Sequence, residues 1–497
     1  MVTMYSAFAP VVLHYRFLEA RHALAPPSSE AQGAAEWEDL HDRYSPRVIE
    51  AMRGLQGYYV KVGQSLAGRT DTLPPQYTER LRGLEDQCPA RPASEVRGII
   101  ERSLRRPLGE VFSSFEERPL GTASIGQVHR ARLRRSGAEV AVKVMDPRAE
   151  GLFRSDMRTA KGFCRLFAPE QLIILDEIER QFLTEFDYRK EAEHLRVVRD
   201  NMRPFKRLVK VPDVHESVCT REVLVMEYLP GRKLVEAIRE QGEAYAQRQG
   251  RTFRDLEREM HERVKREGLP PPYSGPPAWQ IDAYRWALRA RDACLNGGRA
   301  VANMLGWPLG WRFEYARSEA PLNAARTMDV LMRVMGHQVL RDGYFNADPH
   351  AGNFLLLPDG RIGLIDFGQV KQLTDAQRLR LCAMYKCLAT GDRETLRQIA
   401  IENGYRSKRM DAEVMWRMTR FGLDQDGPDV TGGKNVQQFM DEQYARDPWE
   451  KTDDTIIMPV RVSFMLRGVG LSMGHPVSTV HYWWPVARAV LREQGSG

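Results

Sequence analysis

The most constraining feature of this chain is a pair of short motifs in its second half. Asp348 to Asn353 reads D-P-H-A-G-N, and Asp366-Phe-Gly368 follows 13 residues after Asn353. The apolar runs 354–357 and 362–365 flank a turn, which predicts a hairpin between the motifs. Such a hairpin brings together two carboxylates and an amide. Phosphoryl transfer needs one carboxylate at the acceptor oxygen, and an amide oxygen and a second carboxylate on Mg²⁺.

A glycine-containing turn and a strand lysine lie upstream. Gly121 to Val128 reads G-T-A-S-I-G-Q-V, the layout of a loop whose backbone N–H groups approach phosphates. The methyl group of Ala123, at the central glycine position, restricts that approach. Lys143 follows 17 residues after Gly126, a separation that brings its ammonium group to the α and β phosphates. The predicted nucleotide-binding residues of this region are Gly121, Ala123, Ser124, Gly126, Val128 and Lys143.

The end of another predicted strand has the pattern of a nucleotide-binding hinge. The strand runs over 222–228, and backbone groups at Glu227 and Leu229 would hold adenine there. The same pattern also fits an ordinary buried strand end.

A predicted helix between Lys143 and this strand carries three acidic residues, Glu185, Asp187 and Glu191. One of these carboxylates is expected to pair with Lys143, as a helix glutamate does in kinases. The alternative is that all three lie on a solvated helix face.

Together these motifs resemble the UbiB/ADCK (aarF-domain-containing) family of atypical kinase-like proteins. The resemblance covers about residues 36–475. It implies an α+β, bilobed protein-kinase-like fold with an N-terminal helical extension over the cleft and a helical C-terminal lobe. The stretches that carry it are Lys61 to Gln64 (K-V-G-Q), 122–129, 140–143, 185–192, 346–353 and 366–368.

The resemblance also implies the roles of the site residues. ATP and Mg²⁺ are the expected cofactors, with Asn353 and Asp366 on the metal and Asp348 as base or water-positioning residue. Lys61 and Gln64 would gate the cleft, with Lys61 meeting the carboxylates of Glu185 and Asp187. Family activity resembles ATPase or lipid-related phosphotransfer linked to coenzyme Q and other isoprenoids. Mitochondria or plastids are the expected location, at or near a membrane.

Several departures keep a second hypothesis open. Asn346 and Ala351 replace the family's usual histidine and proline. Asn346, Ala123 and the helix expected over the cleft favour a nucleotide-sensing pseudokinase with little turnover, whereas the intact Asp348 argues against it. The helix start signal at Thr374 leaves no room for a normal activation segment, so a conventional Ser/Thr kinase is disfavoured.

The predicted domains are an N-terminal segment (1–35), a helical extension (36–115), a kinase-like N-lobe (116–229), a C-lobe (230–400) and a C-terminal helical region (401–497). An insertion at about 236–320 is expected to form two helices around the proline-rich loop 269–277 and is a candidate surface for a protein partner.

Composition limits the partners. The net charge of +7 is compatible with a nucleotide or a lipid or membrane surface, and no basic cluster with interleaved aromatics predicts nucleic-acid binding.

Six cysteines form no C-x-x-C pair, so no zinc site or disulfide framework is expected. The apolar run 4–13 is too short for a membrane span, and 456–473 is expected to be a buried helix. The segment 1–24 also fits a transit peptide remnant, an interfacial helix or the start of a helix.

Overall fold

The computed structural model describes residues 2–495 apart from 56–58, 60–62, 64–73, 82–89, 123–124, 168–171, 272–274, 307–311, 317, 319–321, 435 and 452–453. Four residues of the predicted site, Lys61, Gln64, Ala123 and Ser124, lie outside the described residues. Their roles stay predictions.

Helices dominate the described chain, and short strands are inserted between them. The described helices, α1 to α19, are Val2–Leu24, Glu30–Leu55, Pro75–Leu81, Ala93–Leu104, Leu108–Val111, Ala149–Phe167, Leu172–Phe182, Tyr188–Asn201, Leu234–Arg248, Phe253–Glu267, Ala278–Gly306, Ala324–Gly336, Asp375–Thr390, Arg393–Glu402, Ala412–Leu423, Pro428–Thr431, Val436–Arg446, Asp454–Ser472 and Thr479–Glu493. The described strands, β1 to β13, are Phe112–Phe115, Gly121–Thr122, Gly126–Leu133, Glu139–Met145, Val209–Lys210, Val223–Glu227, Arg232–Lys233, Tyr344–Asn346, Phe354–Leu356, Ile362–Leu364, Val370–Gln372, Arg406–Ser407 and Trp449–Lys451.

The first sheet has five antiparallel strands in the order β1-β3-β4-β6, with β2 paired to β3. Strands β3 and β4 form an antiparallel hairpin, which places Lys143 on a strand as predicted. The sheet begins earlier than the predicted N-lobe, because Phe112 pairs with Leu133. Its first strand therefore falls in the stretch that sequence analysis assigned to the helical extension.

Strand β4 is covered on both faces. Val140, Val142 and Val144 point into a core that includes residues of α4, while Ala141 and Met145 point into the main core with α8. Because strand side chains alternate, Lys143 lies on the same face as Ala141 and Met145. The alternation therefore directs the lysine toward α8.

The second sheet carries the hairpin predicted between the two motifs. Its order is β5-β10-β9-β7, and β9 and β10 are antiparallel neighbours. Strand β5 pairs in parallel with β10 at the edge of this sheet. Strands β8 and β11 form a separate pair in which Asn346 lies opposite Val370.

The predicted helix start after the second motif is confirmed. Thr374 caps α13, its side chain accepting from Gln377 N while the Gln377 side chain accepts from Thr374 N. This reciprocal cap satisfies two backbone donors at the first turn and stops the chain from continuing as a loop.

Helix α18 coincides with the apolar segment at 456–473. Within the described residues, the window Thr455–Ser472 alone is long and apolar enough to cross a bilayer, with a mean hydropathy of 1.2. Half of that window is buried inside the protein, as the sequence analysis expected for a core helix.

The insertion differs from its prediction. The described part of 236–320 contains three helices, α9, α10 and α11, rather than two. The extra break occurs at Thr252, whose side chain accepts from Asp255 N and starts α10 with a capping box. Sequence analysis did not use this capping pair.

Candidate functional site

Lys143 pairs with one of the three predicted carboxylates, that of Glu191. Its Nζ lies 2.8 and 2.9 Å from the two oxygens of Glu191. Glu191 is in the first turns of α8, on the face that packs against β4, and is 3% exposed. Asp187 instead caps α8 by accepting from Arg189 N at 3.1 Å, and it pairs with the Arg189 side chain.

The Lys143 ammonium lies between two carboxylates. Its Nζ is also 3.4 Å from Oδ2 of Asp366 and 5.1 Å from the centre of the Tyr188 ring. Burial alone would lower the pKa of Lys143, but the charges of Asp366 and Glu191 outweigh it and raise that pKa well above its usual value. The lysine is therefore cationic at neutral pH.

Burial shifts the pKa of Glu191 upward, the opposite of its effect on the pKa of Lys143. Burial raises the pKa of Glu191 to about 7, against the attraction of Lys143 that lowers it. Lys143 is therefore the group that opposes the effect of burial and favours the ionised form of Glu191.

Asp366 is oriented by its own loop. Its Oδ1 accepts from Gly368 N at 3.0 Å. The intervening Phe367 is buried, and its carbonyl is 3.0 Å from Nδ1 of His194 on α8. The same helix thus carries the partner of Lys143 and holds the motif that contains Asp366.

The loop around Asp348 is built on Asn346. Its Nδ2 donates to the carbonyl of Asp366 at 2.8 Å, and its Oδ1 accepts from Asp348 N at 2.8 Å. Asn346 thus hydrogen-bonds both the D-F-G motif and the loop that contains Asp348. Asn353 closes the other end, donating from Nδ2 to the carbonyl of Asp348 at 2.9 Å.

A second polar chain reaches Asp348 through residues that sequence analysis missed. Gln369 Nε2 donates to Oε1 of Glu185 at 2.7 Å. Arg461 on α18 donates from Nη1 to Gln369 Oε1 and from Nη2 to Asp348 Oδ1, both at 2.9 Å. Glu185 therefore connects to the catalytic loop, and the structure shows no direct pair between it and Lys143. The available sequence signal was Arg461 itself, a charged residue inside the apolar segment 456–473, because a charge in a core helix needs a polar partner.

The predicted phosphate loop lies beside the lysine. Val128 is opposite Gly121 in one strand pair and opposite Lys143 in the other. Gly126 has a packing reason as well: a Cβ there would lie 2.3 Å from the carbonyl oxygen of Val144 and 3.0 Å from the Tyr188 hydroxyl. The backbones of β3 and β4 thus approach more closely than any side chain allows.

The hinge prediction falls at the end of β6. Glu227 N donates to the carbonyl of Asp213, and the Glu227 side chain pairs with Lys210 at 2.7 Å. Leu229 is buried in a small cluster with Leu355 and Leu357 of the β9 hairpin. The strand end therefore connects the first sheet to the second.

The residues proposed to hold Mg²⁺ have suitable donor atoms. Asn353 uses its amide nitrogen on the Asp348 carbonyl, which leaves its amide oxygen as the atom able to face a metal. Asp366 supplies a carboxylate, and hard oxygen donors of this kind are what Mg²⁺ takes, usually with waters and phosphate oxygens. Over the described part of the chain, no group of three or more His, Cys, Asp or Glu side chains forms a metal cluster.

A buried strand lysine paired with a helix glutamate, beside the D-F-G carboxylate and a D-x-x-x-x-N loop, defines a kinase-like site. The ABC1 atypical kinase-like domain matches residues 83–261 and 313–400, more than half of the chain. This chain belongs to that family, and the resemblance to UbiB and ADCK proteins is confirmed. The stretch between the two matched parts contains all of α11.

Relatives agree with this assignment. Protein ACTIVITY OF BC1 COMPLEX KINASE 3, chloroplastic, from Arabidopsis thaliana is 28% identical over 72% of this chain and 41% of its own length. Probable protein kinase UbiB from Aeromonas hydrophila is 34% identical over 37% of this chain and 35% of its own. AarF domain-containing kinase 1 from Drosophila melanogaster is 25% identical over 73% of this chain and 57% of its own. The chain thus spans less than two thirds of each relative.

A solved structure of Rv3197 with erythromycin, from Mycobacterium tuberculosis, aligns with 91% of this chain and 97% of its own at 21% identity. Its TM-score is 0.49, a likeness on which no argument here rests.

Proposed function

We propose that this chain binds ATP with Mg²⁺ and acts as an ATPase or as a phosphotransferase on a lipid or small molecule rather than on a protein. The observation that carries the proposal is Lys143, held between Glu191 at 2.8 Å and Asp366 at 3.4 Å. In protein kinases the equivalent pair positions the lysine on the nucleotide phosphates. The five-stranded sheet and the helical part beyond Leu229 would be the two lobes.

The remaining residues have roles that follow from their contacts. Asp348 is oriented from its backbone by Asn346 and from its side chain by Arg461, so its carboxylate can accept a proton or hold a water. Asn353 and Asp366 would hold Mg²⁺, which when bound neutralises charge developing on the phosphates. Lys143 would bind the phosphates while Glu191 keeps it in place.

A substrate other than a protein is supported by the chain after the D-F-G motif. Only the residues 369–374 separate Gly368 from the first residue of α13, and half of them form strand β11. This leaves no extended segment on which a peptide could align. Plastid or mitochondrion is the proposed location, supported by relatives named chloroplastic.

The second candidate is a nucleotide-sensing pseudokinase. The ion pair between Arg461 and Asp348 favours it, because one oxygen of the catalytic carboxylate is already engaged. In that case nucleotide binding would change the conformation for a partner with little turnover.

The test is nucleotide-dependent thermal stability, with and without Mg²⁺. Ligand binding at about 100 times Kd stabilises a fold by roughly 2.7 kcal/mol. We expect a Mg²⁺-dependent shift with ATP or ADP in the unmodified protein and in Asp359→Asn, which alters an exposed turn carboxylate of the same hairpin. The shift should disappear in Asp366→Asn.

Turnover then separates the two candidates. ATP hydrolysis that is lost in Asp348→Asn, with the nucleotide shift retained, supports the enzyme. A nucleotide shift without Asp348-dependent hydrolysis supports the pseudokinase, and the absence of any shift contradicts both.

A further inference from the structure

Tyr188 is a buried tyrosine beside the candidate nucleotide site. It is the first residue of α8, three positions before Glu191, and is 1% exposed. Its ring centre lies 5.1 Å from Nζ of Lys143. The ring therefore packs against the lysine that is proposed to bind the phosphates.

The hydroxyl at the other end of Tyr188 lies close to the backbone of the predicted phosphate loop. A Cβ added at Gly126 would be 3.0 Å from this oxygen. The tyrosine side chain thus extends from Lys143, which its ring contacts, to the glycine at which the loop passes into β3. A side chain at position 126 would meet the hydroxyl as well as the Val144 carbonyl, so the glycine keeps this space open.

The Tyr188 hydroxyl is a hydrogen-bond donor with no partner among the described residues, although its oxygen is buried. Buried hydroxyl groups are nearly always hydrogen-bonded, because a buried polar group without a partner costs free energy. Burial raises the pKa of Tyr188, so the hydroxyl stays protonated and can donate at neutral pH. The fold therefore holds an unused donor next to Lys143.

Three carboxylates near Tyr188 already hold other donors. The charges of Glu191, Asp366 and Glu185 all raise the pKa of Tyr188, so each of them lies within electrostatic reach of the hydroxyl. Glu191 and Asp366 bind the Lys143 ammonium, and Glu185 binds a glutamine side chain. The hydroxyl bonds none of these three described groups. An acceptor for it therefore has to be an oxygen of a bound molecule.

We propose that the Tyr188 hydroxyl donates a hydrogen bond to a phosphate oxygen of the bound nucleotide. The inference deepens the proposed function and rests on it. A phosphate oxygen is the acceptor that Lys143 and the phosphate loop would bring to this place, and a charged acceptor makes a hydrogen bond roughly twice as strong as a neutral one.

The charges around the hydroxyl set a condition for that bond. Three carboxylates face one ammonium there, so the local charge by itself opposes a phosphate. The charge of Mg²⁺ offsets the excess, and the Tyr188 bond should therefore form with the magnesium complex of the nucleotide.

The experiment is calorimetric titration of the full chain with ADP in the presence of Mg²⁺, comparing Tyr188→Phe with the unmodified protein. This substitution removes the hydroxyl and keeps the ring against Lys143. We expect the Kd for ADP to rise at least about tenfold, because a hydrogen bond to a charged group is lost. Adenosine, which has no phosphate, should bind both proteins alike.

Tyr385→Phe is the matched control. Tyr385 is also fully buried, but its hydroxyl donates to the Leu423 carbonyl at 3.1 Å. Tyr385→Phe should therefore lower the melting temperature without nucleotide and leave the Kd for ADP unchanged. Tyr188→Phe should show the reverse pattern, because its hydroxyl makes no bond until the nucleotide binds.

The contrary results can be told apart. An unchanged Kd for ADP in Tyr188→Phe overturns the role of the hydroxyl and leaves the proposed function standing. A lower melting temperature of Tyr188→Phe without nucleotide, with equal losses of affinity for ADP and adenosine, also overturns it and makes the hydroxyl a structural group. If the unmodified protein does not bind ADP, the proposed function fails together with this inference.

Discussion

Arg461 and Asp348 are 113 residues apart in the chain and form an ion pair of 2.9 Å between Nη2 and Oδ1. The same guanidinium binds Gln369, the residue after the D-F-G motif. A C-terminal helix thus holds the D-x-x-x-x-N loop and the D-F-G motif in one arrangement.

Replacing Arg461 should impair turnover more than binding. Arg461→Gln removes the donor that orients the Asp348 carboxylate, and misorientation of a catalytic group costs rate rather than substrate affinity. We expect kcat for ATP hydrolysis to fall at least about tenfold with KM for ATP changed less than about twofold. Arg461→Lys should not restore kcat, since one ammonium cannot reproduce the fork that binds both partners.

Arg488→Gln is the matched control, because Arg488 is exposed on α19. A rise in kcat of Arg461→Gln would contradict the positioning role. It would mean that the ion pair restrains Asp348, as the pseudokinase candidate requires.

Loss of Lys143 should create a pH-dependent defect. Lys143→Met leaves the Glu191 carboxylate buried without its partner, and breaking a buried pair in this way costs about 3 kcal/mol or more. The pKa of Glu191 is already raised to about 7 from 4.5 by burial, and it rises further without the ammonium. A raised carboxyl pKa means that the folded form binds a proton more tightly than the unfolded form, so folding is favoured as pH falls.

Below the pKa of about 7, Glu191 is protonated in both proteins, so the deficit in the free energy of unfolding of Lys143→Met relative to the unmodified protein should shrink as the pH falls from about 9 to about 6. Urea denaturation across this range measures it. The double variant Lys143→Met with Glu191→Gln lacks the titrating group, so its own free energy of unfolding should not show the rise toward lower pH that Glu191 causes. A constant deficit in the single variant would argue against a buried charge at Glu191.

The two glycines of the phosphate loop should respond differently to alanine. Gly126→Ala forces a methyl group to within 2.3 Å of the Val144 carbonyl, and we expect a loss of about 1–3 kcal/mol from overpacking. Gly121→Ala meets only Lys233 Nζ at 3.7 Å, so its change should be below about 0.5 kcal/mol. Chemical denaturation without nucleotide measures both, and equal losses would contradict the close approach of β3 and β4.

Asn346 should matter for stability as well as for the site. Asn346→Ala removes a donor to the Asp366 carbonyl and an acceptor for Asp348 N at a buried position, which should cost about 1–3 kcal/mol. Asn403→Ala, at a half-buried helix end, should cost less than about 1 kcal/mol. Thermal unfolding compares the two, and nucleotide affinity should fall only in Asn346→Ala. Equal effects would mean that Asn346 does not organise the loop.

Structural features that depend on residues close together in the chain could be predicted from the sequence. The β9–β10 hairpin, the alternation that turns Lys143 inward and the capping box at Thr374 all follow from residues a few positions apart. The choice among Glu185, Asp187 and Glu191 could not, because three carboxylates within one helix start differ only in the surfaces that they face after folding.

The sequence by itself determined the family and the hairpin between the two motifs, and it indicated Lys143, Asp348, Asn353 and Asp366 as candidate site residues, because local patterns and motif spacing encode them. The tertiary structure alone decided that Glu191 takes Lys143, that Glu185 connects through Gln369, and that Arg461 reaches Asp348. Each of these pairs joins segments far apart in the chain, and burial selects the partner by removing the water that would otherwise satisfy either charge.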